Sequence, residues 1–227
     1  ATLWSWWMKG SLRWIAGIRT VIEGVDNIPA GGALIVAKHQ SDWDVVALYP
    51  LLDHPAFIAK KELFDIPTFG TALRTLETIQ IDRSKGGAGI PGMVEQAKAT
   101  VAKGRKIFIF PEGTRKAPFE PPHYRSGTAR IYAELDVPIV PVALNSGLTW
   151  GRNSLILWPG TATARFLEPI PPGLSERDAH ALYSARIEAE SLKLGLEAVD
   201  QGVSRPLDAK MRERIDAARA TLAADNG

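Results

Sequence analysis

Ala33-Leu34-Ile35-Val36-Ala37 is an uninterrupted apolar run that is too short to be a buried helix and β-branched at its centre. Such a run reads as a strand buried on both faces, which occurs where helices cover both sides of a parallel sheet. Similar runs recur at Arg19–Glu23, Ala56–Lys60, Thr78–Asp82, Lys106–Phe110, Pro138–Leu144 and Ala162–Glu168. Helical patterns separate many of them, at Asp42–Leu51, Thr68–Leu76, Pro91–Lys103 and Ser126–Leu135. Strand alternating with helix predicts an α/β fold, a largely parallel mixed sheet flanked by helices. After Pro171-Pro172-Gly173 the composition shifts to helix formers. Ser175 with Asp178 three residues on is a capping signal for a helix from Glu176 to about Val199. A second helix is expected from Pro206 to about Ala224. The chain thus divides into an N-terminal amphipathic helix (1–23), an α/β core (24–170) and a C-terminal helical appendage packed on that core (171–227).

Composition matters mainly for what it excludes. Lys plus Arg number 27 against 25 Asp plus Glu, a net charge of +2. With no Lys/Arg run of five or more, nucleic acid is not an expected partner. Cysteine is absent, so thiol nucleophiles, Cys-ligated zinc and iron–sulfur clusters are excluded. The longest stretch without a charge, Val137–Gly151, holds two Pro and two Gly and is shorter than the roughly 20 apolar residues of a spanning helix.

The tryptophans are unevenly placed: Trp4, Trp6, Trp7 and Trp14 fall in the first fourteen residues, and the chain has seven in all. Trp4, Trp7, Met8, Ser11, Ile15, Ile18 and Ile22 follow helical spacing, with Lys9, Arg13 and Arg19 as the charged residues. Helices that lie in a lipid interface pair such rings with Lys and Arg. The same periodicity fits a helix packed on the core, and the two roles are compatible. The chain opens on Ala instead of Met, and an upstream hydrophobic helix is expected to precede it.

The apolar run at 33–37 leads directly into Lys38-His39-Gln40-Ser41-Asp42-Trp43-Asp44. His39 therefore stands at the carboxyl end of a strand, where ligand sites collect in open α/β sheets. On a continuous helix a spacing of five residues points two side chains apart. With His39 in the turn and Asp44 in the first turns of the helix, the carboxylate folds back onto the imidazole. Asp44 would then fix the tautomer while the other ring nitrogen takes a proton from a hydroxyl. A purely structural histidine, with Asp42 or Asp44 as a helix cap, is the alternative. Three further strand ends carry charge: Lys60-Lys61-Glu62, Asp82-Arg83 and Pro111-Glu112-Gly113-Thr114-Arg115. In a parallel sheet they share an edge with His39, and Lys60, Arg83 and Arg115 would form a phosphate-binding rim.

With these residues assembled, the chain resembles the glycerophospholipid acyltransferase family typified by 1-acyl-sn-glycerol-3-phosphate acyltransferase. Four ordered blocks carry the resemblance. They are His39-x4-Asp44; Lys60-x-Glu62-Leu63-x3-Pro67-x2-Gly70 with Ile81-Asp82-Arg83; Phe110-Pro111-Glu112-Gly113-Thr114-Arg115; and Val137-Pro138-Ile139-Val140-Pro141-Val142. They cover about residues 20–170. The resemblance implies acyl transfer from acyl-CoA or acyl carrier protein to the free hydroxyl of lysophosphatidate, giving phosphatidate. It makes His39 the general base and Asp44 its partner. It assigns the acceptor's phosphate and glycerol to Lys60, Arg83, Glu112, Gly113, Thr114 and Arg115. No metal or cofactor beyond the thioester co-substrate is implied. The family acts at membranes, which implies contact through Trp4, Trp6, Trp7 and Trp14, at the cytoplasmic face of an inner membrane. Relatives acylate glycerol-3-phosphate, lysophospholipids or lyso-ornithine lipid with the same blocks, so those acceptors stay open.

Other classes fit less well. Gly87-x-Gly89-x-x-Gly92 has the spacing of a dinucleotide-binding loop, but Asp82–Lys85 separates it from the preceding strand and Pro91 lies inside it. No Gly-x-Ser-x-Gly elbow exists for a serine hydrolase. A metal site from His39, Asp42 and Asp44 lacks a second clustered histidine. A catalytically silent lipid-binding scaffold would keep the Trp helix and the cationic rim but has no use for the His39/Asp44 pair.

Overall fold

The structure, a computed structural model, describes residues 2–82, 84 and 88–225, with side chains from Trp7 to Ala224. The strands are β1 (Ile18–Glu23), β2 (Leu34–Ala37), β3 (Ala56–Lys60), β4 (Ile79–Ile81), β5 (Ile107–Ile109), β6 (Ile139–Leu144) and β7 (Gly160–Phe166). The helices are α1 (Thr2–Trp14), α2 (Trp43–Leu48), α3 (Phe69–Thr75), α4 (Ile90–Ala102), α5 (Gly127–Glu134), α6 (Glu176–Asp200) and α7 (Ala209–Asp225). The strands form one sheet in the order β1-β7-β6-β2-β5-β3-β4. Only the β6–β7 pairing is antiparallel among those described. The mixed, mainly parallel α/β sheet expected from the alternation is therefore present.

Side-chain parity along β2 sorts the core into two layers. Leu34 and Val36 face a cluster built with α4, α5 and α6 through Met93, Ala97, Tyr132, Tyr183 and Ile187. Ala33, Ile35 and Ala37 face the other way, onto Leu12 of α1 and Trp43, Val46 and Leu48 of α2. Each strand residue points opposite to its neighbour, so Lys38 continues the first face and His39 the second. This parity separates the two chemistries of the site.

The N-terminal helix is shorter than the periodicity over residues 1–23 suggests. It ends at Trp14, Gly17 adopts a left-handed φ of 68°, and Ile18–Glu23 form β1. A left-handed glycine is a common way to stop a helix. The β-branched Thr20, Val21 and Ile22 then pair in parallel with β7, and Ile18 is buried. The last helix begins at Ala209 instead of Pro206, because the Asp208 carboxylate accepts the Met211 N–H at 2.7 Å and caps it. No described helix is long and apolar enough to cross a membrane.

Gly70, in the first turn of α3, belongs to the second sequence block through packing. A β-carbon there would lie 2.0 Å from the Phe64 carbonyl oxygen, whereas one at Gly10 of α1 would meet nothing within 4 Å. Gly70→Ala is expected to lower stability by about 2–4 kcal/mol through forced backbone displacement. Gly10→Ala should raise it by about 0.5–1 kcal/mol through helix propensity. Urea unfolding midpoints check both signs.

Candidate active site

Asp44 lies in the first turn of α2 and is fully buried. Its Oδ2 accepts from His39 Nδ1 at 2.9 Å and from the backbone N–H groups of Gln40 at 2.8 Å and Ser41 at 3.0 Å. Its Oδ1 accepts from Ser146 Oγ at 2.5 Å. Four donors thus converge on the two oxygens of one buried carboxylate. Because Asp44 accepts, Nδ1 of His39 carries the proton and Nε2 presents its lone pair. The imidazole stacks on Phe110 with ring centroids 3.8 Å apart, which fixes its plane. The turn that carries His39 is tied to two other segments. Lys116 N–H donates to the His39 carbonyl at 2.8 Å, and Gly147 N–H donates to Gln40 Oε1 at 3.0 Å.

On the opposite side of β2, Lys38 sits between two carboxylates. Its Nζ lies 3.0 Å from Glu112 Oε1 and 2.5 Å from Glu188 Oε1, with Lys38 and Glu112 almost wholly buried. Glu112 Oε2 accepts the His39 backbone N–H at 3.2 Å, and Tyr124 donates its hydroxyl to Glu188 at 2.5 Å. Burial pushes the Glu112 carboxyl above the usual carboxylate range, although Lys38 and the His39 N–H pull the other way. Burial, then the Glu188 charge, raises the Tyr124 phenol well above its ordinary value. Tyr124 therefore stays a proton donor to Glu188.

This placement changes the role expected for Glu112. At 1% exposure it lies beneath the His39 turn, with both oxygens engaged, and is turned away from solvent. Gly113 takes a left-handed φ of 65° and its N–H returns to the Phe110 carbonyl, forming the tight turn that leaves Thr114 exposed. Arg115 ion-pairs with Asp42 and donates to Asn153 Oδ1 at 3.2 Å, so its guanidinium is anchored beside the His39 turn. Lys60 is exposed at the end of β3, and strand register sets it level with Lys38 two strands away. That offset corresponds to roughly 10 Å at ordinary strand spacing. Arg83, Trp4 and Trp6 lie outside the described side chains. Trp7 is exposed, and Trp14 is 85% exposed.

Sequence reasoning did not single out Lys38, Ser146, Tyr124 or Glu188. Ser146 and Glu188 come from distant parts of the chain and lack local motifs, whereas Lys38 was legible as a charge at the end of an apolar run. The glycine-rich loop is no dinucleotide fingerprint: β4 ends at Ile81 and α4 starts only at Ile90. Gly87 itself lies outside the described residues.

Removing the cation alone tests the buried network. Lys38→Met leaves Glu112 and Glu188 facing each other and is expected to cost about 3–5 kcal/mol in urea unfolding. Glu188→Gln keeps hydrogen-bonding capacity at Lys38 and should cost far less. A loss under about 1 kcal/mol for Lys38→Met would show that the network does not hold the turn.

Comparison with known proteins places this geometry in a family. The family model Acyltransferase matches residues 19–145. The chain is 34% identical over 149 residues to a 1-acyl-sn-glycerol-3-phosphate acyltransferase of Pseudomonas aeruginosa, covering 66% of this chain and 58% of that protein. It is 34% identical over 182 residues to a protein of the same name from Cocos nucifera, covering 76% of this chain and 59% of that one. The chain thus spans a little under three fifths of the length of these relatives. A crystal structure of the 1-acyl-sn-glycerophosphate acyltransferase PlsC from Thermotoga maritima shares the fold, with a TM-score of 0.70 at 24% identity, covering 84% of this chain and 77% of that one. With the family model matching more than half of its length and His39 and Asp44 inside the match, the chain belongs to the acyltransferase family.

Proposed function

We propose that the protein transfers a fatty acyl group from a thioester, acyl-CoA or acyl carrier protein, to the free hydroxyl of 1-acyl-sn-glycerol-3-phosphate, giving phosphatidate. The observation that carries this reading is the His39–Asp44 pair, with Nδ1 tied to a buried carboxylate and Nε2 left to act. His39 Nε2 takes the hydroxyl proton as the acceptor oxygen bonds to the thioester carbonyl carbon. The C–S bond then breaks, and the imidazolium returns the proton to the departing thiolate. Asp44 stabilises the imidazolium between these steps. The thioester is already activated, so positioning and one base suffice, and the sequence as written uses neither metal nor cofactor. The named relatives support the acceptor, being 1-acyl-sn-glycerol-3-phosphate acyltransferases.

In this reading Lys60, Arg83 and Arg115, with the Gly113–Thr114 turn, receive the acceptor's phosphate and glycerol. Glu112 supports the turn from below. The acceptor comes from a bilayer, at the cytoplasmic face of an inner membrane, and Trp7 and Trp14 seat the protein there with the tryptophans before them. Ile15 and Ile156 are also exposed, and Leu155 is 98% exposed on the loop before β7. Gly160 N–H donates to the Gly17 carbonyl at 3.2 Å, so the end of that loop meets the end of α1.

An acceptor panel tests the activity, using lysophosphatidate, glycerol-3-phosphate, lysophosphatidylcholine and lyso-ornithine lipid with one acyl-CoA. Thiol release with lysophosphatidate is expected, falling by about 10²–10⁴-fold in His39→Ala. Near wild-type release in that variant would remove His39 from the chemistry, and product from none of the acceptors would favour a silent lipid-binding scaffold. Membrane seating is tested by flotation on anionic vesicles. Deleting residues 1–23 would remove β1, so the suitable variant is Trp7→Ser/Trp14→Ser/Leu155→Ser. It should reduce the bound fraction by about tenfold or more, because interfacial binding scales with buried apolar area. Unchanged flotation would refute the role.

A further inference from the structure

The cavity of about 720 Å³ lined by His123, Tyr124, Arg125, Arg177 and His180 is not used by the mechanism above. Its size falls in the range of roughly 300–1,000 Å³ typical of small-molecule sites. Arg125 and Arg177 are exposed, and among the described residues neither is ion-paired. The one carboxylate in the lining, Glu176, lies 4.0 Å from Arg130 Nε. His180 Nε2 is 3.2 Å from the Tyr124 carbonyl oxygen, while His123 is exposed. The lining therefore carries two guanidiniums without ion-pair partners among the described residues, groups that suit phosphate.

Backbone and side-chain contacts join this cleft to the site. Arg125 N–H donates to the Pro111 carbonyl at 3.0 Å, one residue before Glu112. Tyr124 spans the two regions, with its carbonyl toward His180 in the cleft and its hydroxyl on Glu188 beside Lys38. Lysophosphatidate carries a single phosphate, for which Lys60 and Arg115 already stand at the strand ends. A second cationic cleft matches the second anionic substrate. We propose that it binds the phosphates of the acyl donor's 4′-phosphopantetheine carrier. The proposal rests on the thioester donor of the preceding section.

The test is calorimetric binding to the whole chain of coenzyme A, 3′-dephospho-coenzyme A, 4′-phosphopantetheine and holo acyl carrier protein. Wild type and Arg125→Ala/Arg177→Ala are compared. Both arginines are exposed, and unchanged near-ultraviolet circular dichroism verifies the variant's fold. The variant is expected to weaken binding of the preferred carrier by about tenfold or more, the loss of charge-assisted hydrogen bonds. His39→Ala should bind that carrier as wild type does. Preference for coenzyme A over its dephospho form would assign the cleft to the nucleotide, and preference for the holo protein to the carrier-protein arm. Equal affinity of the variant, or no binding of any of these by wild type, overturns the proposal. So does weaker lysophosphatidate binding with coenzyme A unaffected, which would hand the cleft to the acceptor. Kinetics separates the two readings. Ordinary donor KM in the double variant defeats the cleft but not the activity. Carrier binding through the cleft without transfer to any acceptor defeats the activity but not the cleft.

Discussion

The turn that carries His39 depends on the burial of one carboxylate. Asp44 gathers the His39 ring, two successive backbone N–H groups and the Ser146 hydroxyl around two oxygens that never meet water. Leaving a buried donor unmatched costs about 1–3 kcal/mol, and more for charged groups. The two segments that supply these donors, the His39–Ser41 turn and the start of the 146–148 turn, are therefore held in one arrangement. The link from β2 to α2 cannot relax without stranding several of them. The same bonds that fix the local fold also hold the imidazole in place, so folding of the turn and orientation of the ring are one event here.

Strand parity extends that control to the other face. Lys38 and His39 are neighbours in sequence and opposites in space, the one among carboxylates under α6, the other stacked on Phe110 above α2. Glu112 spans them by accepting from the Lys38 ammonium with one oxygen and from the His39 backbone with the other. A charged network on one side of the sheet thus sets the position of His39 on the other. The arrangement uses the sheet as a partition. The Lys38 ion pairs are thereby kept on the face away from the imidazole.

What the sequence disclosed and what it hid follow from range. Strand and helix identities were legible because each rests on local periodicity, and the strands among the described residues lie where β-branched runs occur. His39 with Asp44 was legible because the partners are five residues apart. The end of α1 was misjudged because Ile18 and Ile22 continue a helical spacing that Gly17 breaks and β7 overrides. Glu112 was assigned to the acceptor only through the family resemblance of its block. Its buried partners, Lys38 and the His39 N–H, lie more than seventy positions away in sequence. Ser146 and Glu188 had no local signal at all. Their roles exist only once β6 and α6 are packed.

The unit that holds the His39–Asp44 pair extends beyond the matched residues. The family match ends at residue 145, one residue short of Ser146 and well before Glu188. Yet Ser146 completes the shell of Asp44, and Glu188 shares the Lys38 ammonium with Glu112. α6 is fastened to the sheet near these groups. Ser191 Oγ accepts the Leu144 N–H at 3.3 Å, and Asn145 donates to the Leu194 carbonyl at 3.0 Å. Tyr183 and Ile187, on the same helix, are fully buried against the β2 face that carries Lys38. A helix that supplies a buried counter-charge, closes a core layer and ties off the end of β6 cannot be an accessory to the domain. The division at residue 170 marks a change of composition, while the physical unit that holds His39 runs through α6.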